Sequence, residues 1–206
     1  MIDYLLFLIY KVFKFIVLLL PKFLIKFFLD GLTSFIYLVN KEHKRYAKKN
    51  LDLVYANTIS ESRKQEIIKN SYRNLIYSLY DFIESPTLNL EQLEKKVTVE
   101  NEHILVDAIN SNKKIILVSA HYGNWEYVTS YVSLKYKAVT VVGRKMNNKY
   151  FNEDMEKGRN KHNAEMLYKS NSAKGLMKAL RKDRMIGLVT DQHIDPKKGV
   201  IVDFLG

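Results

Sequence analysis

From Val97 onward the chain alternates short apolar runs with longer helical stretches, and this alternation constrains the fold more than any other feature. The apolar runs are Val97–Val99, Lys114–Ser119, Ala138–Gly143, Glu165–Tyr168 and Met185–Thr190. Between them, residues 101–111, 124–135, 148–163 and 172–182 carry helical periodicity. Strands separated by helices of that length pair in parallel through crossovers rather than as hairpins. The predicted class is therefore α/β, with a mainly parallel central sheet and flanking helices. In open sheets of this kind, chemistry gathers just beyond the carboxyl ends of the strands.

The first 88 residues read differently. One apolar segment runs from Tyr4 to Leu20, interrupted by Lys11 and Lys14; Pro21 breaks it, and a second runs from Phe23 to Val39 with Lys26 inside. A spanning helix needs about 20 apolar residues. No small-residue cleavage site marks a signal peptide. The segment reads as an N-terminal membrane anchor over residues 1–40, either a short span or a helix lying in the interface. A buried core helix is the competing reading, and it would need a large partner surface. Lys41, Lys44, Arg45, Lys48 and Lys49 follow, against only Glu42. Such a cluster faces the cytoplasm and anionic lipid, or else is a solvated helix face. Residues 43–83 look helical, with Thr58-Ile-Ser-Glu61 as a capping box. Ile67, Ile68, Tyr72, Leu75, Ile76, Leu79, Phe82 and Ile83 form the helix's apolar face, and Pro86 ends it. The domain reading is thus an anchor over 1–40, a helical collar over 41–88 and an α/β domain over 89–206.

Composition narrows the chemistry. With 33 Lys+Arg against 22 Asp+Glu, the formal net charge is +11, which favours an anionic partner. The chain has no cysteine, which excludes disulfides, thiolate nucleophiles and cysteine-based zinc sites. No G-x-G-x-x-G and no P-loop lysine motif supports a nucleotide site. The aromatics lie within apolar runs rather than between lysines and arginines, which argues against nucleic acid.

The chemistry concentrates in Ile115-Ile-Leu-Val-Ser-Ala-His-Tyr-Gly-Asn-Trp-Glu126. A buried-strand run ends in a polar turn that holds His121, and Glu126 follows in the first turn of a helix. The expectation is that Glu126 reaches one imidazole nitrogen and fixes the tautomer, leaving the other nitrogen to take a proton. Such a pair can deprotonate a substrate hydroxyl as it attacks an acyl carbon, with no side-chain nucleophile. Spacing alone favours a structural histidine; the strand-His-Tyr-Gly-Asn-Trp-Glu-helix context is far more specific.

His121-Tyr-Gly-Asn-Trp-Glu126 resembles the H-x-x-x-x-(D/E) signature of glycerolipid-type acyltransferases, and more narrowly the H-x-G-N-W-E form of the bacterial lipid A late acyltransferases. Val142-Gly-Arg144 with Asn147, Arg159, Asp191-Gln192, Gly199-Val200 and Asp203-Phe-Leu-Gly206 follow in the family's order. The resemblance implies a glycerolipid-acyltransferase-like fold and transfer of a fatty acyl chain to a hydroxyl of a lipid A precursor. The implied donor is acyl carrier protein, or acyl-CoA. The implied location is the cytoplasmic face of the bacterial inner membrane, with no metal or other cofactor. It makes His121 the general base and Glu126 its orienting partner. Arg144, Asn147, Arg159, Asp191 and Gln192 become substrate-binding or site-shaping residues. Family members continue past the position of Gly206, so the apolar run Ile201–Gly206 reads as the start of a further element in a C-terminally truncated sequence.

Two other readings remain. His121, Glu126, Asp191, His193 and Asp195 could ligate a metal in a hydrolase, although Lys197 and Lys198 would crowd a dication. The chain could also be a non-catalytic, membrane-tethered binder of anionic lipid.

Overall fold

The computed structural model describes residues 2–168, 172–191 and 199. The described residues of Met1–Phe15 and Asp81–Gln192 make one compact unit, and those of Ile16–Tyr80 a second.

Helix α1 (Ile2–Leu19) stops just before Pro21, and α2 (Lys22–Val39) starts just after it. Proline has no N–H to continue a helix and suits its start. Each helix has 18 residues. At about 1.5 Å per residue this is roughly 27 Å, short of the roughly 30 Å hydrocarbon core. No single helix among the described residues is long and apolar enough to cross a membrane; α2 and α3 (Lys41–Tyr55), bent by 85°, pass that test only as a pair. The anchor expected over 1–40 is therefore not one spanning helix, because Pro21 divides the apolar stretch and lysines interrupt both halves.

In the second unit, Ile25 and Leu29 of α2 are buried with Ile76 of α4 (Glu61–Glu84), and Leu32, Ile36, Tyr77 and Tyr80 pack around them. Asp30 accepts hydrogen bonds from Arg73 Nε and Tyr77 Oη, both at 2.9 Å. The helix predicted over 43–83 is in fact two, α3 and α4, separated by the turn at 56–60. Lys64, only 3 % exposed, ties that turn together by donating to Asp52 at 2.6 Å and to the Ala56 carbonyl at 2.9 Å. The capping residue is not Thr58. Ser60 Oγ accepts from the Arg63 N–H at 3.2 Å, while Thr58 Oγ1 turns back to donate to the Tyr55 carbonyl at 2.6 Å. On the predicted apolar face Ile68 and Ile76 are buried, but Leu75 and Leu79 are exposed.

The first unit holds the sheet. Its strands are β1 (Ile116–Ser119), β2 (Val139–Gly143), β3 (Ala164–Tyr168) and β4 (Met185–Val189). Every pairing is parallel, and the order is β1-β4-β2-β3. The connecting helices are α7 (Trp125–Lys135), α8 (Lys149–Lys161) and α9 (Ser172–Arg181). The steps β1→β2 and β2→β3 run one way across the sheet and β3→β4 runs back. Right-handed crossovers therefore place α7 and α8 on one face and α9 on the other. Helices α5 (Leu90–Glu94) and α6 (Glu102–Asn110) precede β1. Val97–Val99, expected as a strand, pairs with no strand among the described residues; Val97 and Val99 instead pack their side chains against the core.

The core lies between the sheet and α7. Leu93, Tyr127, Tyr131, Val132, Val139 and Met185 are buried there, with Leu117 and Val141 packed against them. The register explains the choice: Val139 lies opposite Met185, and Gly187 opposite both Val141 and Leu117, so these residues point to the same face. Leu93 is fully buried, and truncating such a leucine to alanine costs about 2–5 kcal/mol. Among the described residues β1 is an edge strand, and on the opposite face its Ile116 and Val118 are exposed.

Candidate active site

Local chemistry shapes the stretch after β1. Asn124 caps α7 by accepting the Tyr127 N–H at 3.2 Å. Gly123 just before it has φ +63°, a conformation that glycine adopts without strain. The strand thus ends, turns through Gly123 and re-enters a helix within a few residues. His121 is left at the carboxyl edge of the sheet.

The carboxylate on His121 is Asp191. Asp191 Oδ1 lies 2.8 Å from His121 Nδ1, and Oδ2 accepts the His121 backbone N–H at 2.9 Å. β1 pairs β4 with Ser119 opposite Val189, so His121 and Asp191 each stand two residues beyond a paired position. An ionised carboxylate only accepts hydrogen bonds, so Nδ1 carries the proton and Nε2 is the acceptor. Among the described residues Nε2 has no hydrogen-bond partner. The Trp125 ring meets the imidazole edge-on at 5.1 Å and limits its rotation. The hydrogen bond from the His121 ring, helped by the backbone N–H, holds the Asp191 carboxyl below the usual carboxylate range.

Glu126 does not reach His121. It turns to Arg159 of α8: Arg159 Nε donates to Glu126 Oε2 at 3.3 Å, and Nη2 bonds Oε1. The two side chains are only 10 % and 16 % exposed, so this is a buried, two-point ion pair. Arg159 also lies over the Phe82 ring and contacts Met166 Sδ at 2.6 Å. Beside the pair is a small cleft lined by Tyr10, Lys14, Phe82, Pro86, Asp154 and Met155. Asp154 there takes Lys14 at 2.8 Å and Lys11 at 3.1 Å. Phe7 and Tyr10 of α1 pack on Phe151 of α8.

Behind Glu126, the next residue fixes α7. Tyr127 Oη lies 2.7 Å from Asp81 Oδ1 and 2.5 Å from Glu84 Oε2, and Lys96 Nζ donates to Glu84 at 2.9 Å. Burial pushes the Asp81 carboxyl up. This cluster anchors the first turn of α7, and with it the direction in which Glu126 points.

The remaining predicted residues fall as follows. Arg144 and Asn147 follow β2 at the same carboxyl edge, both exposed and making no hydrogen bond or ion pair among the described residues. The structure does not bring them into contact with His121. Gln192, His193 and Asp195, and the run Ile201–Gly206, lie outside the described residues. Among the described residues no group of three or more His, Asp or Glu side chains could hold a metal ion. Asp191 was expected as a binding residue rather than as the histidine's partner. Its offset beyond Val189 matches that of His121 beyond Ser119, a signal readable only once β4 is known to pair β1.

A profile described as bacterial lipid A biosynthesis acyltransferase matches residues 1–206. No curated protein gives a significant match.

Proposed function

The chain belongs to the bacterial lipid A biosynthesis acyltransferase family, and from that premise we propose that His121 is its general base and Asp191 the carboxylate that orients it. As a member of that family it is an acyltransferase, with an acyl donor and a lipid A acceptor. The donor in this reading is an acyl thioester, on acyl carrier protein or coenzyme A. The acceptor is a hydroxyl of a lipid A precursor.

The observation that carries the reading is the 2.8 Å contact between His121 Nδ1 and Asp191, which leaves Nε2 open at the sheet's carboxyl edge. The acceptor hydroxyl gives its proton to Nε2 as its oxygen attacks the thioester carbonyl. A tetrahedral oxyanion forms and collapses, the C–S bond breaks, and the imidazolium returns the proton to the leaving thiolate. Asp191 faces the positive charge that develops on the ring. Glu126 acts one step away, by holding Arg159. Arg144, exposed and without a carboxylate partner among the described residues, is suited to a phosphate of the acceptor.

Work at the inner membrane's cytoplasmic face agrees with the exposed apolar side chains of α2, among them Phe23, Phe27, Phe35 and Leu38, and with the basic α3 that follows. The test is His121→Ala. Transfer of a labelled acyl group to lipid A precursor is lost while folding and vesicle binding persist. Wild-type rates in that variant would remove His121 from the mechanism.

A further inference from the structure

Helix α9 carries a stripe of four cations without a single acidic residue. Lys174, Lys178, Arg181 and the following Lys182 recur at i, i+4, i+7 and i+8, so they share one face, and all four are exposed. The opposite face is committed to the sheet. Ala179 is buried there, Leu176 and Leu180 are half-buried, and Gly175 lets the helix press against β3. A Cβ on Gly175 would stand 2.6 Å from Leu167 Cδ1.

Several basic positions elsewhere are paired with carboxylates. Lys48 has Asp52 and Glu61, Arg63 has Glu66, Lys95 has Glu91, and Lys114 and Lys137 share Asp183. None of the four α9 cations pairs with a carboxylate among the described residues. Like charges one turn apart repel and weaken a helix. An acidic partner laid along the stripe relieves that repulsion.

The stripe's direction matters as well. α9 returns antiparallel to the strands, so Lys174 lies toward the carboxyl edge, where His121 and Arg144 stand, and Arg181 toward the far edge. Whatever binds along α9 therefore has one end at the edge of the sheet that carries His121. A membrane is the poorer fit, because Met177 is the one large apolar side chain exposed on α9. We propose that the outer face of α9 is the docking surface for an acidic protein that delivers the acyl thioester, with Lys174, Lys178, Arg181 and Lys182 meeting its carboxylates. The proposal rests on the acyltransferase reading with a protein-bound donor.

The test is direct binding of a bacterial holo acyl carrier protein to the full chain in detergent, at low and at physiological salt. Lys178→Glu/Arg181→Glu is expected to weaken binding about tenfold at low salt, and the neutral pair Lys178→Gln/Arg181→Gln about threefold. Higher salt should shrink the difference. Binding of vesicles containing anionic phospholipid should stay unchanged. Carrier binding unaffected by both pairs, no carrier binding by the wild type, or a loss confined to vesicle binding would overturn the proposal. Carrier binding that depends on α9 without any acyl transfer would instead defeat the catalytic reading and leave the docking surface standing.

Discussion

Breaking the Glu126–Arg159 pair separates two roles that the motif glutamate could have. Both side chains are largely buried, at 10 % and 16 % exposure, and they meet through two hydrogen bonds. Removing one member of a buried pair strands the other charge, at a cost of about 3–5 kcal/mol. Glu126→Leu leaves the guanidinium without an anion, and Arg159→Met leaves the carboxylate without a cation. Each should therefore cost about 3 kcal/mol, which for a chain of this size lowers the melting temperature by roughly 10 °C. The double replacement Glu126→Leu/Arg159→Met strands no charge and should fall within about 1 kcal/mol of wild type. Thermal melts of the four proteins in one detergent give the coupling energy. Singles that add in the double, with coupling below about 0.5 kcal/mol, would refute the pairing. Acyl transfer gives a second readout. If Glu126 acts through Arg159, the two single variants lower kcat by the same factor. If it acts on His121, only the glutamate variant does.

Three further outcomes follow from the geometry. Asp191→Asn offers one acceptor where the carboxylate offers two, so either the backbone N–H or the correct imidazole tautomer is lost. A buried triad loses about 10⁴-fold for such a change; with Asp191 and His121 a third exposed, water compensates in part, and a fall in kcat of about 10²-fold is expected in a transfer assay. His162 is 2 % exposed and neither ring nitrogen has a well-formed partner among the described residues; burial holds its pKa below 6.5, against a weaker pull from the Leu88 backbone. Below that value the unfolded chain takes up a proton that the folded chain resists. The stability this group contributes is therefore complete above about pH 6.5 and is lost as pH falls below it. Urea midpoints at pH 5 and pH 7.5 should differ more for wild type than for His162→Leu. Gly158→Ala would place a methyl 2.9 Å from Pro86 Cγ, a rigid ring that cannot turn away, and should lower stability by about 1–3 kcal/mol in the same unfolding assay.

What could be read in the sequence, and what could not, divides along contact range. The strand-helix alternation is a local signal, and four of the five predicted strands form within two residues of their expected ends. Val97–Val99 fails because a β-branched pair signals apolar burial as much as pairing, and here burial wins: both valines pack on the core, with no strand beside them among the described residues. The capping box fails for a similar reason. Thr58 and Ser60 offer equivalent hydroxyls, and the turn held by Lys64 decides which of them meets a free N–H. At the site, the motif located His121 correctly at a strand end but pointed to its neighbour in sequence as its partner. The actual partner is 70 residues away, because β4 is inserted beside β1 and carries Asp191 to the same height. Glu126, released from the histidine, is drawn instead to Arg159 across α7 and α8, where both charges are nearly dry and each needs the other. The histidine-to-glutamate spacing thus records two contacts rather than one. It sets a base at the sheet's edge, and it sends a carboxylate from the following helix turn to fix an arginine.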